Sequence, residues 1–344
     1  MVDPEGLKFV LDDHMIHYNI DVLLHTPVIG AEQSESDNRI VSIEIQESQG
    51  RRRLFAKSFV DCTGDCNLAH LAGASTRYGN HGTVNLGSLA TRFGGLPLTM
   101  TPTASKWRDA IISAKQQKPE LRKLIPKNES VLLRLPISGD VVSFLASASY
   151  DARLSSSITK AEVSGRKQAQ EYLKILRDLP DHENMHIVST GPNFGTRESR
   201  HINSMYQLTR EDITSGRRFD DVIGLGAWGF EFHDPNHENW TSSFQLPPGG
   251  NFDVPFGCLR SIDTPNLFAA GRCVDADQFA GSSVRVMGTA LVTGQAAGVA
   301  AGLVATRDLD GGWDVKDVQE CLRENGALLN CLDLPHAPPI KQAA

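Results

Sequence analysis

Asn266 to Gly302 read NLFAAGRCVDADQFAGSSVRVMGTALVTGQAAGVAAG, which joins a short apolar run, a loop and a long segment of small and apolar residues. The run from Leu267 to Ala270 stops at Gly271, a pattern typical of a buried strand. The loop ends at residues 281–283 (GSS), and Arg285 follows at the entrance of the next segment. These features predict a strand, a loop and a long helix in that order.

The start of this predicted helix is suited to an anionic or electron-rich ligand. Gly288 has no side chain to cover the backbone N–H groups there, and a helix N-terminus carries unpaired donors and about half a positive charge. Small residues follow at helical spacing and are expected on nearly one face, where they allow close approach of a sheet or a cofactor: Gly294, Ala297, Gly298, Ala301 and Gly302.

Two other interpretations compete for the same helix. Val286 to Thr306 is uncharged and long enough to span a bilayer, and its glycine spacing matches a membrane packing pattern. Thr289, Thr293 and Gln295 interrupt the run, and neither end carries Trp or Tyr, so we predict no membrane span. The periodicity alone is equally compatible with a close-packed helix that binds no ligand.

The stretch resembles the C-terminal signature of FAD-dependent oxidoreductases with the glutathione-reductase-like flavin fold, and it is most similar to their heterodisulfide-reductase-A-like subgroup. In that family a strand ending in Ala-Gly-Arg lies beside the phosphate–ribityl chain of FAD, and the following helix start faces the isoalloxazine ring. The resemblance therefore implies FAD as the cofactor. It nominates six cofactor-binding residues here: Gly271, Arg272, Ser283, Val286, Met287 and Gly288.

A second motif fits the same family. Residues 56–65 read AKSFVDCTGD, a strand that ends in Thr-Gly-Asp ahead of a helix predicted from about Asn67 to Ala72. Ligands of open α/β sheets gather where such strands end. The resemblance places Thr63, Gly64 and Asp65 near the FAD pyrophosphate and adenosine. It also places Val28, at the end of an upstream strand, next to the adenine.

Three residues are nominated for catalysis. Residues 193–201 (NFGTRESRH) match a family segment that approaches the flavin from the substrate side, and an arginine such as Arg197 could hold a substrate carboxylate or stabilise an anionic flavin. An interdomain salt-bridge network explains the same residues equally well. Arg285 would stabilise negative charge on the ring. Arg200 and His233 are the weaker choices for orienting substrate.

Gly224 to Gly229 (GLGAWG) matches G-x-G-x-x-G, but an extended segment follows it where a nucleotide-binding turn requires a helix. We therefore predict that it does not bind a dinucleotide. The family normally places a strand, a true G-x-G-x-x-G and a helix ahead of the helix that starts here at Asp3. We expect the sequence to be a fragment, to gain this segment from a partner chain, or to be a repurposed fold.

Composition and cysteine spacing bear on nucleic-acid binding, localisation and metal binding. The net charge of −7 gives no basic surface for nucleic acid, and the beginning of the sequence shows no targeting signal, so we expect a cytoplasmic protein. The six cysteines form no C-x-x-C pair, and we predict no metal site and reduced thiols. An iron–sulfur cluster is implied only by analogy with the subgroup. His233 and His237 are not aligned for a metal, because Pro235 separates them.

The sequence thus predicts an α/β protein: an incomplete FAD-binding Rossmann-like domain, lacking its first βαβ unit, with an inserted α+β substrate domain. The predicted boundaries are 1–80 and 253–330 for the FAD-binding parts, 81–252 for the substrate domain, and 331–344 for a loose tail. The predicted function is hydride or electron transfer between a small molecule and flavin. The alternatives are a non-catalytic flavin-fold remnant that serves as a binding module, and an electron-transfer subunit.

Local patterns add four expectations. Asp3 and Pro4 predict a helix start, and its apolar residues recur at helical spacing. Residues 21–29 (DVLLHTPVI) predict a buried strand, and residues 39–55 a hairpin. Thr159 with Glu162, and Thr209 with Asp212, match helix capping signals.

Overall fold

The structure is a computed structural model, and it describes residues 3–234, 242–247, 249–307 and 314–330. The described helices are α1 Pro4–His17, α2 Asn67–Leu71, α3 Ala104–Gln117, α4 Leu121–Leu124, α5 Ser155–Leu176, α6 Arg210–Ser215, α7 Gln278–Val284, α8 Met287–Thr306 and α9 Val315–Glu324. The described strands are β1 Val28–Gln33, β2 Ile40–Glu47, β3 Gly50–Phe55, β4 Phe59–Asp61, β5 Thr76–Tyr78, β6 Gly87–Ser88, β7 Thr91–Gly94, β8 Leu132–Arg134, β9 Val141–Ser143, β10 Ser147–Ala148, β11 His186–Thr190, β12 Arg200–Ile202, β13 Val222–Gly226, β14 Phe230–Phe232, β15 Ser242–Phe244, β16 Phe252–Pro255 and β17 Leu267–Ala269.

The chain divides into two compact units. Unit 1 comprises residues 1–24, 85–197 and 233–242, and unit 2 comprises residues 25–84, 198–232 and 243–344. This division differs from the predicted boundaries, which assigned residues 198–232 to the substrate domain. The physical reason is strand pairing: β12 pairs with β5, and β13 pairs with β16, so this segment belongs to unit 2. The predicted tail, 331–344, lies outside the described residues.

Unit 1 is built around an antiparallel sheet with the strand order β11-β7-β9-β8. Helices α3 and α5 supply one side of its core, where Trp107, Ile111 and Tyr172 are almost completely buried. The indole N–H of Trp107 donates to Nε2 of His182 at 3.0 Å, so the one polar atom of that ring is satisfied inside the core. Within this sheet β8 and β9 pair as an antiparallel hairpin.

Unit 2 contains the hairpin predicted over residues 39–55, since β2 pairs with β3 and β1 with β2 in one antiparallel sheet. Its other main feature is a parallel pair in which Leu267 to Ala269 lie opposite Phe59 to Asp61. Two apolar clusters cover this pair, one including Phe268, Ala296 and Ala300, the other Leu267 and Phe59. Helix and strand are therefore mixed, as in an α/β fold.

The two expectations at the start of the chain had different outcomes. Helix α1 begins as predicted, with Asp3 accepting hydrogen bonds from the N–H groups of Glu5 and Gly6, but none of its residues is buried. The predicted strand over residues 21–29 starts only at Val28, and Leu23 and Leu24 are exposed. Apolar spacing becomes regular buried structure only where a neighbour covers it, and Leu23 and Leu24 stay exposed in this part of the chain.

The two capping predictions had different outcomes. Thr209 and Asp212 form a capping box at α6, as predicted. The Thr159 prediction was wrong, because α5 begins at Ser155 and the Thr159 hydroxyl donates to the Ser155 carbonyl inside the helix at 2.8 Å. Glu162 accepts instead from the N–H of Phe194 at 3.2 Å and pairs with Arg166 at 2.6 Å.

Helix α8 is the one described helix that is long and apolar enough to cross a membrane by length and composition. Its buried side packs against β4, β13, β17 and α9, which is the environment of a core helix. That side comprises Thr289, Thr293, Ala296, Ala297, Ala300, Leu303 and Val304. The predicted stripe of small residues is only partly buried, because a Cβ at Gly294, Gly298 or Gly302 would meet no described atom within 4 Å.

Candidate functional site

The turn after β4 is organised by the carboxylate of Asp61, which is completely buried. One oxygen accepts from the N–H of Thr63 at 2.9 Å and from its hydroxyl at 2.7 Å, and the other accepts from the N–H of Ala69 at 2.9 Å. The Thr63 hydroxyl in turn accepts from the N–H of Asn67 at 2.9 Å. The strand end, the turn and the start of α2 are therefore held by one side chain.

Gly64 brings the two predicted cofactor turns together. Its φ of +79° lies in the left-handed region, and a Cβ built on it would collide with the guanidinium of Arg272. The same guanidinium pairs with Asp65 at 3.4 Å. The Thr-Gly-Asp turn after β4 and the Ala-Gly-Arg turn after β17 are thus in contact, with Arg272 lying over Gly64.

Helix α8 is anchored to the turn after β17. The N–H of Gly271, whose φ is +64°, donates to the Thr293 hydroxyl at 3.0 Å, and this hydroxyl donates to the Ala290 carbonyl at 3.0 Å. A Cβ on Gly271 would touch Ala290 at 3.9 Å. Val28 packs on the apolar cluster beneath the two turns. The first turns of α8 therefore lie beside Gly271, near Gly64.

Between β17 and α8 the predicted loop is in part a short helix. Asp277 caps α7 by accepting from the N–H groups of Phe279 at 2.9 Å and Ala280 at 2.8 Å. The Ser283 hydroxyl donates to the Trp228 carbonyl at 2.6 Å, and Arg285 donates to the Glu231 carbonyl at 2.9 Å. Both predicted site residues are consequently tied to the segment around β14.

The N-terminus of α8 remains accessible. No side chain caps it at Val286, Met287 and Gly288 are exposed, and a Cβ at Gly288 would meet no described atom within 4 Å. Open space over unpaired N–H donors at the start of a long helix fits the electron-rich edge of a flavin ring. The match to FAD is weaker at Gly64, where Arg272 fills the space above the turn.

Arg197 and His233 meet in unit 1. Arg197 donates to the Leu86 carbonyl at 2.7 Å, the N–H of Leu86 donates to the His233 carbonyl at 3.1 Å, and the N–H of His233 donates to Asn85 at 2.8 Å. His233 is buried, and the Arg197 N–H also donates to the Tyr150 hydroxyl at 3.0 Å. The pair holds the segment before β6, and its role toward a substrate stays a prediction.

Arg200 completes the nominated residues. Arg200 donates to the Asp65 carbonyl at 3.4 Å and to Asn67 at 3.3 Å, so it braces the turn after β4 from the β12 side. His237 and Pro235 lie outside the described residues.

The glycine motif at residues 224–229 forms no nucleotide-binding turn. It spans the end of β13 and a loop that leads into β14, as the sequence predicted. The loop instead forms one wall of a cavity of about 590 Å³ in unit 2. The cavity walls include Leu225, Trp228 and Leu246. Such a volume with largely apolar walls is in the range of small-molecule sites.

The sequence left three contributors to this region without a role. Asp61 was visible only as the residue before the turn, Thr293 only as a polar interruption of an apolar helix, and Cys273 only as the residue after Ala-Gly-Arg. The sequence could have identified them by residue type, because a polar residue in an apolar run needs a buried hydrogen-bond partner.

A model of the FAD dependent oxidoreductase family matches residues 1–322. Neither a search of curated proteins nor a search of solved structures finds a match to this chain. The matched range contains the turn after β4, the turn after β17 and helix α8, and the family implies FAD as the cofactor. The protein therefore belongs to the FAD dependent oxidoreductase family.

Proposed function

We propose that this chain forms the bulk of an FAD-dependent oxidoreductase that moves a hydride or an electron pair between a small-molecule substrate and the flavin. The observation that carries the proposal is the meeting of the two predicted cofactor turns at Gly64 and Arg272, with the open N-terminus of α8 anchored beside them. When bound, FAD supplies the redox chemistry, and the chain positions and tunes it.

The start of α8 and Arg285 are assigned to charge stabilisation. The N–H groups at Met287 and Gly288 would donate to the electron-rich edge of the ring. Arg285 stands immediately before the helix N-cap, Val286, and its hydrogen bond to the Glu231 carbonyl fixes its direction. A fixed cation and a helix N-terminus at one place both favour the anionic form of a bound group.

The ADP half of FAD is assigned to a strand–GxGxxG–helix segment, either in the same polypeptide or in a partner chain. Among the described residues no glycine-rich turn leads into such a helix, and the described partner of β4 in its sheet is β17 alone, so its other edge carries no described strand. The outer face of α8 is also uncovered, since Leu291 is 72% exposed. An open strand edge beside an uncovered, uncharged helix face is a surface on which a strand and helix can pack.

The test is a titration of the purified chain with FAD, in which binding is measured by calorimetry or by flavin fluorescence. We expect weak binding by the chain as given, and binding at least about tenfold tighter, or ~1.4 kcal/mol, when the glycine-rich segment of a full-length relative is fused ahead of Met1. A fused segment whose glycines are changed to valines is the matched control. Stoichiometric FAD in the unmodified monomeric chain would refute the need for the added segment. No binding by any fusion would refute the flavin function.

Arg285→Ala should make bound flavin harder to reduce, because a nearby cation favours the anionic reduced ring. We expect the midpoint potential of a flavin-loaded fusion to fall on the order of 30 mV, about 1.4 kcal/mol for two electrons. Arg285→Lys keeps the charge and should restore most of the potential. Arg307→Ala removes one arginine at the opposite end of α8 and is the matched control. An unchanged midpoint potential in Arg285→Ala would show that Arg285 does not tune the flavin and that its role is the structural hydrogen bond to the Glu231 carbonyl.

The second candidate function is a binding module built on a flavin fold without redox activity. It is favoured by the side chain of Arg272, which fills the space over Gly64 where the family places the pyrophosphate. The absorption spectrum of the purified protein separates the two functions, since an oxidised flavin absorbs visible light and a module without FAD does not.

A further inference from the structure

Two cysteines face each other beneath the contact between the cofactor turns. Cys66 is the N-cap residue of α2, Cys273 follows the Ala-Gly-Arg turn, and neither has any solvent exposure. The Cys66 N–H donates to the Cys273 sulfur at 3.3 Å, and the Cys66 thiol donates to the Cys273 carbonyl at 3.3 Å. Cys66 is therefore the donor in two hydrogen bonds to Cys273, across 207 positions of sequence.

The placement of Cys66 costs backbone energy. Its φ of +48° lies in the left-handed region, which costs a residue with a Cβ roughly 1–2 kcal/mol, and its side chain caps no N–H of α2. Glycine would adopt this conformation without strain and would leave the hydrogen bond from the N–H in place. Helix capping thus does not explain why a thiol stands here opposite a second thiol.

We propose that Cys66 and Cys273 are a modification site at which the two thiols are oxidised to an intramolecular disulfide. Each sulfur loses its hydrogen and one S–S bond forms, while two protons and two electrons pass to a two-electron oxidant of the hydroperoxide or azo class. A hydroperoxide is thereby cleaved to an alcohol and water. The product links the turn after β4 covalently to the turn after β17.

The geometry allows this reaction without a rearrangement of the fold. The two sulfur atoms lie within 4.8 Å of each other, and a disulfide joins residues whose Cα atoms are about 4.4–6.8 Å apart. The contact from the Cys66 N–H to the Cys273 sulfur, at 3.3 Å, places that sulfur directly against the backbone of Cys66. Burial raises the pKa of the Cys66 thiol well above its usual value, so we expect oxidation over hours rather than seconds.

A metal ion is the competing occupant, because an oxygen of Asp61 also lies within 4.8 Å of both sulfurs. The carboxylate of Asp61 already accepts two hydrogen bonds from Thr63 and one from Ala69, and a fourth, at 3.7 Å, from the Cys273 thiol. A metal would have to share these oxygens and would find three ligands where structural zinc sites use four. The disulfide needs only the two sulfurs and leaves the hydrogen bonds from Thr63 and Ala69 to Asp61 intact, while it removes the longer contact from the Cys273 thiol.

The test counts thiols in the full chain. Reduced, desalted protein is incubated with diamide, its remaining thiols are capped with N-ethylmaleimide in denaturant, and the mass is measured. The chain has six cysteines, so loss of two thiols should leave four caps per molecule. A digest without reductant should contain the Cys66 peptide joined to the Cys273 peptide.

Cys66→Gly removes one partner and also suits the local φ, so it is expected to fold and to keep all of its remaining thiols. Cys321→Ser, on α9, is the matched control and should still lose two. The proposal is overturned if the wild type keeps all six thiols, if the link joins another pair such as Cys62 and Cys66, or if Cys66→Gly loses two thiols as well. Zinc that co-purifies at one per chain and blocks oxidation would assign the pair to a metal instead. None of these results depends on FAD, so the outcome is separate from the proposed function.

Discussion

Asp61→Asn is expected to lower the free energy of unfolding by about 3 kcal/mol, because a buried, hydrogen-bonded carboxylate is replaced by a group with one acceptor oxygen. The introduced amide can direct its oxygen to the two donors of Thr63 or to the N–H of Ala69. In either orientation the N–H₂ group of the amide faces a donor. At least one buried N–H or hydroxyl is then left without an acceptor, which is the costly case.

Chemical denaturation monitored by circular dichroism measures this loss. Asp65→Asn is the matched control, since it changes the same atoms on the same turn where the side chain is 25% exposed and the ion pair to Arg272 is long, at 3.4 Å. The control is expected to cost less than about 1 kcal/mol. Equal losses in both variants would show that Asp61 does not organise the turn. Hydrogen exchange should also accelerate at the N–H groups of Asn67 and Ala69, which depend on Asp61 directly or through Thr63.

Elements whose signal is local were predictable from the sequence. The capping box of Thr209 and Asp212, the start of α1 at Asp3 and the hairpin of β2 and β3 each depend on residues within a few positions. The Thr159 signal failed although it is equally local, because α5 extends one turn upstream and places Thr159 inside the helix. A capping pattern specifies a favourable start, and tertiary packing selects which start is used.

The two turns of the candidate site were predictable from the sequence, whereas the contacts between them were not. Thr-Gly-Asp and Ala-Gly-Arg identify two turns, yet the pair between Asp65 and Arg272 joins residues 207 positions apart. Such a contact follows from the parallel pairing of β4 with β17, which no local periodicity encodes. The hydrogen bond from Gly271 to the Thr293 hydroxyl likewise depends on how α8 packs across the turn. Arg197 was nominated because its charge could bind a substrate or the flavin. In the structure its guanidinium donates to the backbone carbonyl of Leu86.

Gly64→Ala is expected to destabilise the protein by about 1–3 kcal/mol, and two separate costs contribute. A Cβ at a φ of +79° costs roughly 1–2 kcal/mol of backbone strain. The same Cβ would occupy the position of the Arg272 guanidinium, and moving this side-chain end away costs up to about 1 kcal/mol, mainly through the lost ion pair with Asp65. The overlap falls at the end of a side chain, so Arg272 should swing away and lose its pairing with Asp65.

Gly82→Ala separates the two costs. Gly82 has nearly the same φ, +80°, and a Cβ there would meet no described atom within 4 Å, so this variant should show the backbone strain alone. The difference in unfolding free energy between Gly64→Ala and Gly82→Ala then measures the contact between the two turns. The double variant Gly64→Ala with Arg272→Ala supplies the second check, because removal of the guanidinium leaves only the strain and the cost of truncating Arg272. If Gly64→Ala costs no more than Gly82→Ala, and the double variant recovers nothing, Arg272 does not lie over the turn after β4. The contact on which the proposed cofactor site depends would then be absent in solution.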